Sequence, residues 1–425
     1  MSIGATFLGG AKSRLLPPSI PFRFFAAAAV FHVFMWLGLL AGADEAVNFR
    51  GGLGSIVSTV HLLGLGILVS TAIGSSVQLL PVATRRTLQA IWPIKVVSWM
   101  TIPGMAALFV GMYTARMNVL IPAAVIVGAG LLLFGGLLVD NLRRAGSFPV
   151  VGAYGWAALA ALLLVALLGV TLAINEDVGF LPDHGAAALA HLILGAFGFM
   201  GLLVLGFSHI LVPMFAMASA PPKRPSFAGF TIALIALALG TLGALISSRE
   251  VLTAAALAGL LAAAVHLWLM YRVLETGMRK RLGLSFILVR VAWVMLPTTL
   301  VIGLASLYSY AGSNGPTLFG FMLLFGWLLT FLFGILQRIM PFLASMFLPP
   351  PAQGGTAIVG ELAGAPVLKL HVICHCSALV TLAVAIVLDN AMVGRLGSVI
   401  GLIGAFAFLW FTADIVLRIV RARQT

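Results

Sequence analysis

Charge and cysteine are both scarce in this chain. Of 425 residues only 11 are Asp or Glu, and 8% carry charge of either sign. So little charge excludes a water-soluble globule, in which about a quarter of residues are charged. The two cysteines, Cys374 and Cys376, are too few and too close together for a disulfide framework. No phosphate-cradling glycine loop, nucleophile triad or paired catalytic carboxylate is visible, so hydrolase and kinase chemistry drop out.

Hydrophobic residues make up 62% of the sequence. Apolar runs long enough to span a bilayer begin near residues 20, 54, 90, 117, 150, 184, 227, 250, 283, 316, 366 and 391. They predict an all-α, polytopic membrane protein of about twelve helices forming one membrane domain, because open strands cannot satisfy their backbone in lipid. A net charge of +13 invites a nucleic-acid partner, but its placement argues otherwise. Lys12, Arg14, Arg85, Arg86, Arg143, Arg144, Lys223, Arg224, Arg279, Lys280, Arg281, Arg418, Arg421 and Arg423 fall at alternate helix ends. Arg50, Arg116, Arg249 and Arg395 occupy the other side. The positive-inside rule then puts both termini in the cytoplasm, and short loops without an organelle presequence suggest a bacterial inner membrane.

One pattern recurs at about a third of the chain. Glycines stand 15 and 7 residues before a proline at Gly66, Gly74 and Pro81, at Gly198, Gly206 and Pro213, and at Gly326, Gly334 and Pro341. Each copy carries a polar side chain three or four residues before its proline: Gln78, His209 and Gln337. The prolines are 132 and 128 residues apart, long enough for four spans, which implies three pseudo-threefold four-helix repeats near 19–145, 146–275 and 276–425.

Eight histidines in so uncharged a chain need a cause. Neutral imidazoles ligate iron and copper, and in lipid each must find a partner inside the protein. In 181–217 (LPDHGAAALAHLILGAFGFMGLLVLGFSHILVPMFAM), His184, His191 and His209 are 7 and 18 positions apart and return to one helix face. The glycines of that stripe let another helix or a flat cofactor come close. By depth the histidines sort into an outer group of His61, His184 and His191 and an inner group of His209, His266, His371 and His375. Helix face favours His61 with His191 outside, and His209 with His371 or His375 inside. His371 and His375, at i and i+4 beside Cys374, have the spacing to chelate one metal. His32 reads as hydrogen-bonded packing or as a ligand, and His266, next to Trp268, as an interfacial residue. Arg290, one to two turns inside the ninth span, needs a partner, for which Asp414 is a candidate although Arg418 competes for it.

The patterns H-L-x-x-x-G … L-L-P-V on the second span and H-L-x-L-G-A-x-G-x-x-G … H-I-L-V-P on the sixth resemble the haem–copper oxidase subunit I superfamily. The likeness is to its small divergent members, including nitric-oxide-response membrane proteins of the NnrS type. The resemblance implies haem b and copper as cofactors, His61 as the second-span haem ligand, and His191 as a metal-site histidine. It also implies a redox partner or respiratory-complex subunits, and electron transfer or diatomic-gas handling. Two departures argue against oxygen reduction: Phe319 and Phe321 occupy the tenth span where the oxidases place haem-binding histidines, and the seventh span (227–246) has no histidine. His371 and His375 are the replacement source of ligands. Two alternatives stay open: a non-redox transporter or channel lined by the repeats, and an assembly or structural subunit of a respiratory complex.

Overall fold

Each apolar run becomes a single helix, since within hydrocarbon the backbone can be satisfied only by its own ladder. The computed structural model describes residues 15–84, 86–88, 90–145, 149–348, 361 and 366–422. Most of the Pro/Gly-rich connection after the tenth span, and Lys12, Arg14, Arg85 and Arg423, lie outside the described residues. Twelve helices are long and apolar enough to cross a membrane, and no strand occurs among the described residues. They are α1 (Pro21–Ala41), α2 (residues 55–84), α3 (Trp92–Tyr113), α4 (Met117–Arg143), α5 (Pro149–Val178) and α6 (His184–Ala216). The second half comprises α7 (Lys223–Leu245), α8 (Arg249–Thr276), α9 (Leu284–Leu307), α10 (Gly315–Ser345), α11 (Pro366–Val387) and α12 (Ala391–Arg421). Side-chain caps fix three starts: Asp183 accepts from Ala186 N, Ser248 from Val251 N and Asn390 from Val393 N.

The helices are arranged in rings. The glycine-ladder helices α2, α6 and α10 are 72%, 67% and 78% buried, against 22–61% for the other nine, which makes them the inner set. In each group of four, the first helix packs along the ladder helix and the third and fourth form a tight hairpin. The fourth helix lies against the first of the next group, and α12 closes the circle on α1. Outward faces carry exposed Trp99, Leu167, Leu257 and Trp410, an apolar surface for lipid tails.

The ladder has a structural cause that its spacing does not state. Each ladder helix widens into an eight-residue π-helical stretch: Leu62–Val69, Leu194–Gly201 and Met322–Leu329. Each stretch begins 19 residues before its proline, and the three touch one another pairwise at the centre. In a regular α-helix, glycines eight apart point about 80° away from each other. A turn that absorbs one extra residue brings them back onto one face. All six face the first helix of their own group: Gly66 and Gly74 meet Phe31 and Phe25 of α1, Gly198 and Gly206 meet Ala161 and Tyr154 of α5, and Gly326 and Gly334 meet Met295 and Ser285 of α9. The glycines therefore serve helix–helix approach, and the flat-cofactor use of this stripe is corrected. Hydroxyls support two of the wide turns, with Ser70 Oγ donating to Leu65 O (3.3 Å) and Thr330 Oγ1 to Phe325 O (2.8 Å). The prolines do not break the helices, which continue past Pro81, Pro213 and Pro341 to Thr84, Ala216 and Ser345.

Candidate functional site

Histidines from α2 and α6 meet just outside the central π turns. The His61 and His191 ring centroids are 6.3 Å apart with planes 24° from parallel. His61 Nδ1–H donates to Val57 O, one turn back on its own helix, at 2.8 Å. That bond fixes the tautomer and presents the Nε2 lone pair, as in metal-ligating histidines whose other nitrogen is tied down. His191 leans on Gly169 of α5, where an added Cβ would stand 3.0 Å from its ring, and its buried Nδ1 has no partner in the protein. Two imidazoles that ligate one ion from opposite sides have centroids roughly 6 Å apart, given metal–nitrogen bonds of about 2.0–2.1 Å. The centroid separation of the pair lies in that range.

A second cluster surrounds Phe333 of α10. Its ring centroid lies 4.5 Å from His32, 4.8 Å from His371 and 5.6 Å from His375, and all three histidines are buried. Trp36 Nε1–H donates to His32 Nε2 (2.8 Å), so His32 Nδ1 carries the proton and is no ligand. The Thr330 hydroxyl has spent its proton on Phe325 O, so His375 Nε2–H donates to Thr330 Oγ1 (2.8 Å) and His375 Nδ1 keeps a free lone pair. His371 Nδ1 bonds the Gln337 amide at 3.0 Å. The His371 and His375 rings are nearly parallel at 5.8 Å. Cys374, whose Cβ packs against Gly404 of α12, does not gather with His371 and His375 into a three-ligand group. Among the described residues, no three His, Cys, Asp or Glu side chains gather round one metal position.

The expected inner group divides. His209 lies 5.8 Å from His266 of α8 and 5.6 Å from Tyr154 of α5, instead of joining His371 or His375. Its Nδ1–H donates to Leu205 O (2.8 Å), leaving Nε2 buried and free. His266 is buried with neither nitrogen partnered, so its interfacial reading is also corrected. His184 is exposed and bonds Asn175 (2.9 Å) and Glu176 (3.3 Å) at the end of α5, which removes it from the metal set. Its i+7 relation to His191 holds only as a shared face toward α5.

The buried-charge expectation also changes. Arg290 is exposed, and Asp414, partly exposed, pairs with Arg418 at 3.0 Å. The reason is helix face: Arg290 points away from the ring, where its long side chain reaches the membrane edge. The buried cation is Arg338 of α10, which the sequence reading passed over. Its signal was available, since it stands three residues before Pro341, the ladder position held by Gln78 in the first copy. His266 had no such signal.

Helix number, hydropathy and ring packing define a multi-pass α-helical membrane protein, with imidazoles buried in two clusters in its core and a partly buried pair, His61 and His191, at a third place. No family model matches the sequence, and no curated protein is significantly similar to it.

Proposed function

We propose that this protein is a membrane redox protein of the bacterial inner membrane, with both termini cytoplasmic, built from three copies of one four-helix unit. In this reading His61 and His191 hold a metal cofactor, haem b iron first and copper second. The carrying observation is the separation and near-parallel setting of the two rings, with His61 pinned through Nδ1. A bound haem iron or copper would supply one-electron exchange or reversible capture of a diatomic gas such as nitric oxide. The chain's own residues present the His61 lone pair, seat His191 against Gly169, and exclude water with the apolar walls of α2, α5 and α6.

A channel along the ring axis finds less support. Trp327 of α10 is buried at the centre, 5.6 Å from Phe197 of α6 and pressed against Gly201. Metal analysis and the absorption spectrum of the purified protein test the redox reading. Iron with a Soret band, or copper, is expected at near-stoichiometric level, lost in His61→Ala and His191→Ala and retained in His184→Ala. Purified protein free of iron and copper would end it.

A further inference from the structure

Arg338 is the only side chain with a fixed formal charge that is buried among the described residues. Lipid-embedded charge is costly unless compensated. All eleven Asp and Glu of the chain lie among the described residues, so every side-chain carboxylate can be checked against it. The five ion pairs use Asp44, Asp140, Glu176, Glu361 and Asp414, none with Arg338.

What surrounds the guanidinium is incomplete. Arg338 Nη2 donates to Leu282 O at 2.5 Å, and the group stands over the Phe215 ring at 5.9 Å. Nε is buried and has no partner. A guanidinium has five N–H donors in a planar fork, so one carbonyl and one ring leave most of it unmatched. Leu282 belongs to the α8–α9 connection, which also carries Arg279, Lys280 and Arg281. Backbone bonds from Met278 and Arg279 to Met217 O and Ala216 O fasten that connection over the end of α6. Lys280 Nζ bonds the main-chain oxygen of Glu275, not its carboxylate. The result is a buried arginine beneath a basic strap, with no Asp or Glu of this chain paired to it.

We propose that Arg338 anchors a binding site for a phosphate oxyanion between the end of α6, the α8–α9 connection and α10. A phosphate meets the fork through two oxygens, and the strap supplies further positive charge. Two sources share that chemistry: the headgroup of an acidic phospholipid and free inorganic phosphate. The site is independent of the histidine pair, so its failure would leave the cofactor reading intact.

The test uses the full-length protein in nanodiscs. One arm compares phosphatidylglycerol with phosphatidylcholine, and the other compares inorganic phosphate with chloride in phosphatidylcholine at equal ionic strength. Melting temperature and native mass spectrometry are the readouts. The wild type should be stabilised in one arm and retain the corresponding ligand. Arg338→Gln should weaken that response at least tenfold, Arg338→Lys severalfold because the charge stays but the fork goes, and Arg290→Gln not at all. Should Arg338→Gln fail to fold, Arg338→Lys and the wild-type arms decide. A wild type indifferent to both anions, or an Arg338 variant that responds as the wild type does, would overturn the proposal.

Discussion

The helices α2 and α6 share a backbone plan with α10 but not its cargo. All three have two glycines facing the preceding helix, a π-helical stretch 19 residues before a proline, and a place at the centre. Twenty residues before its proline α2 has His61, and 22 before its own α6 has His191; at those two offsets α10 has Phe321 and Phe319. The near-parallel histidine pair comes from α2 and α6, while α10 contributes bulk in Trp327. Scaffold and site are thus separable: the glycine–π–proline plan assembles the ring, the residues just outside it decide whether a histidine or a phenylalanine is presented, and α10 adds an apolar plug, Trp327, within its own π stretch.

Substitutions can break or sharpen that contrast. The largest effect is expected at the plug. Trp327→Ala should leave a cavity at the meeting point of the three helices and cost about 3–5 kcal/mol, read as a fall in melting temperature of detergent-solubilised protein. Next comes the scaffold. Gly334→Ala places a methyl 2.8 Å from Ser285 O and 3.0 Å from Val289 N, backbone atoms that cannot swing aside, and should cost about 1–3 kcal/mol by the same measurement. Converting the site toward the α10 pattern separates the two roles. His61→Phe and His191→Phe should keep stability within about 1 kcal/mol, because each exchanges a half-paired imidazole for an apolar ring, yet should remove bound iron or copper by elemental analysis. If either variant keeps its full metal content, the site does not lie between these helices. The smallest effect is at Gly326, where an added Cβ meets only the flexible Met295 side chain at 3.5 Å, so Gly326→Ala should change the melting temperature negligibly.

Much of the site was legible before any fold was known, and its limits are instructive. Depth placed His61, His184 and His191 in one outer group, and helix face singled out His61 with His191, the two that stand near the outer ends of ladder helices and meet in the fold. Helix face failed for His209, since two inner clusters at one level differ only in which neighbouring helix each face meets, and His209 meets His266 instead of His371 or His375. His266 was placed at the right depth but read as interfacial, because a histidine near a helix end reads alike whether it faces lipid headgroups or a buried ring. Arg290 and Arg338 make the same point with opposite outcomes. Both lie near the same end of adjacent helices, one exposed and one buried. Even the ladder was recognised for its spacing while its cause, the extra residue in the wide turn, stayed hidden: π and α turns draw on the same apolar residues.

The sequence by itself determined what each stretch does in a membrane: twelve spans, their bounds to within a few residues, and the recurring glycine–proline frame. These follow from transfer of side chains out of water and from backbone self-satisfaction, which are local to the segment. Tertiary structure alone decided which helices are inner, that the glycine faces take a helix and not a cofactor, which histidines share a neighbour, and which arginine is buried. Those are relations between faces of different helices, and in lipid, where apolar burial does not distinguish one face from another, close packing and unmatched polar groups select them.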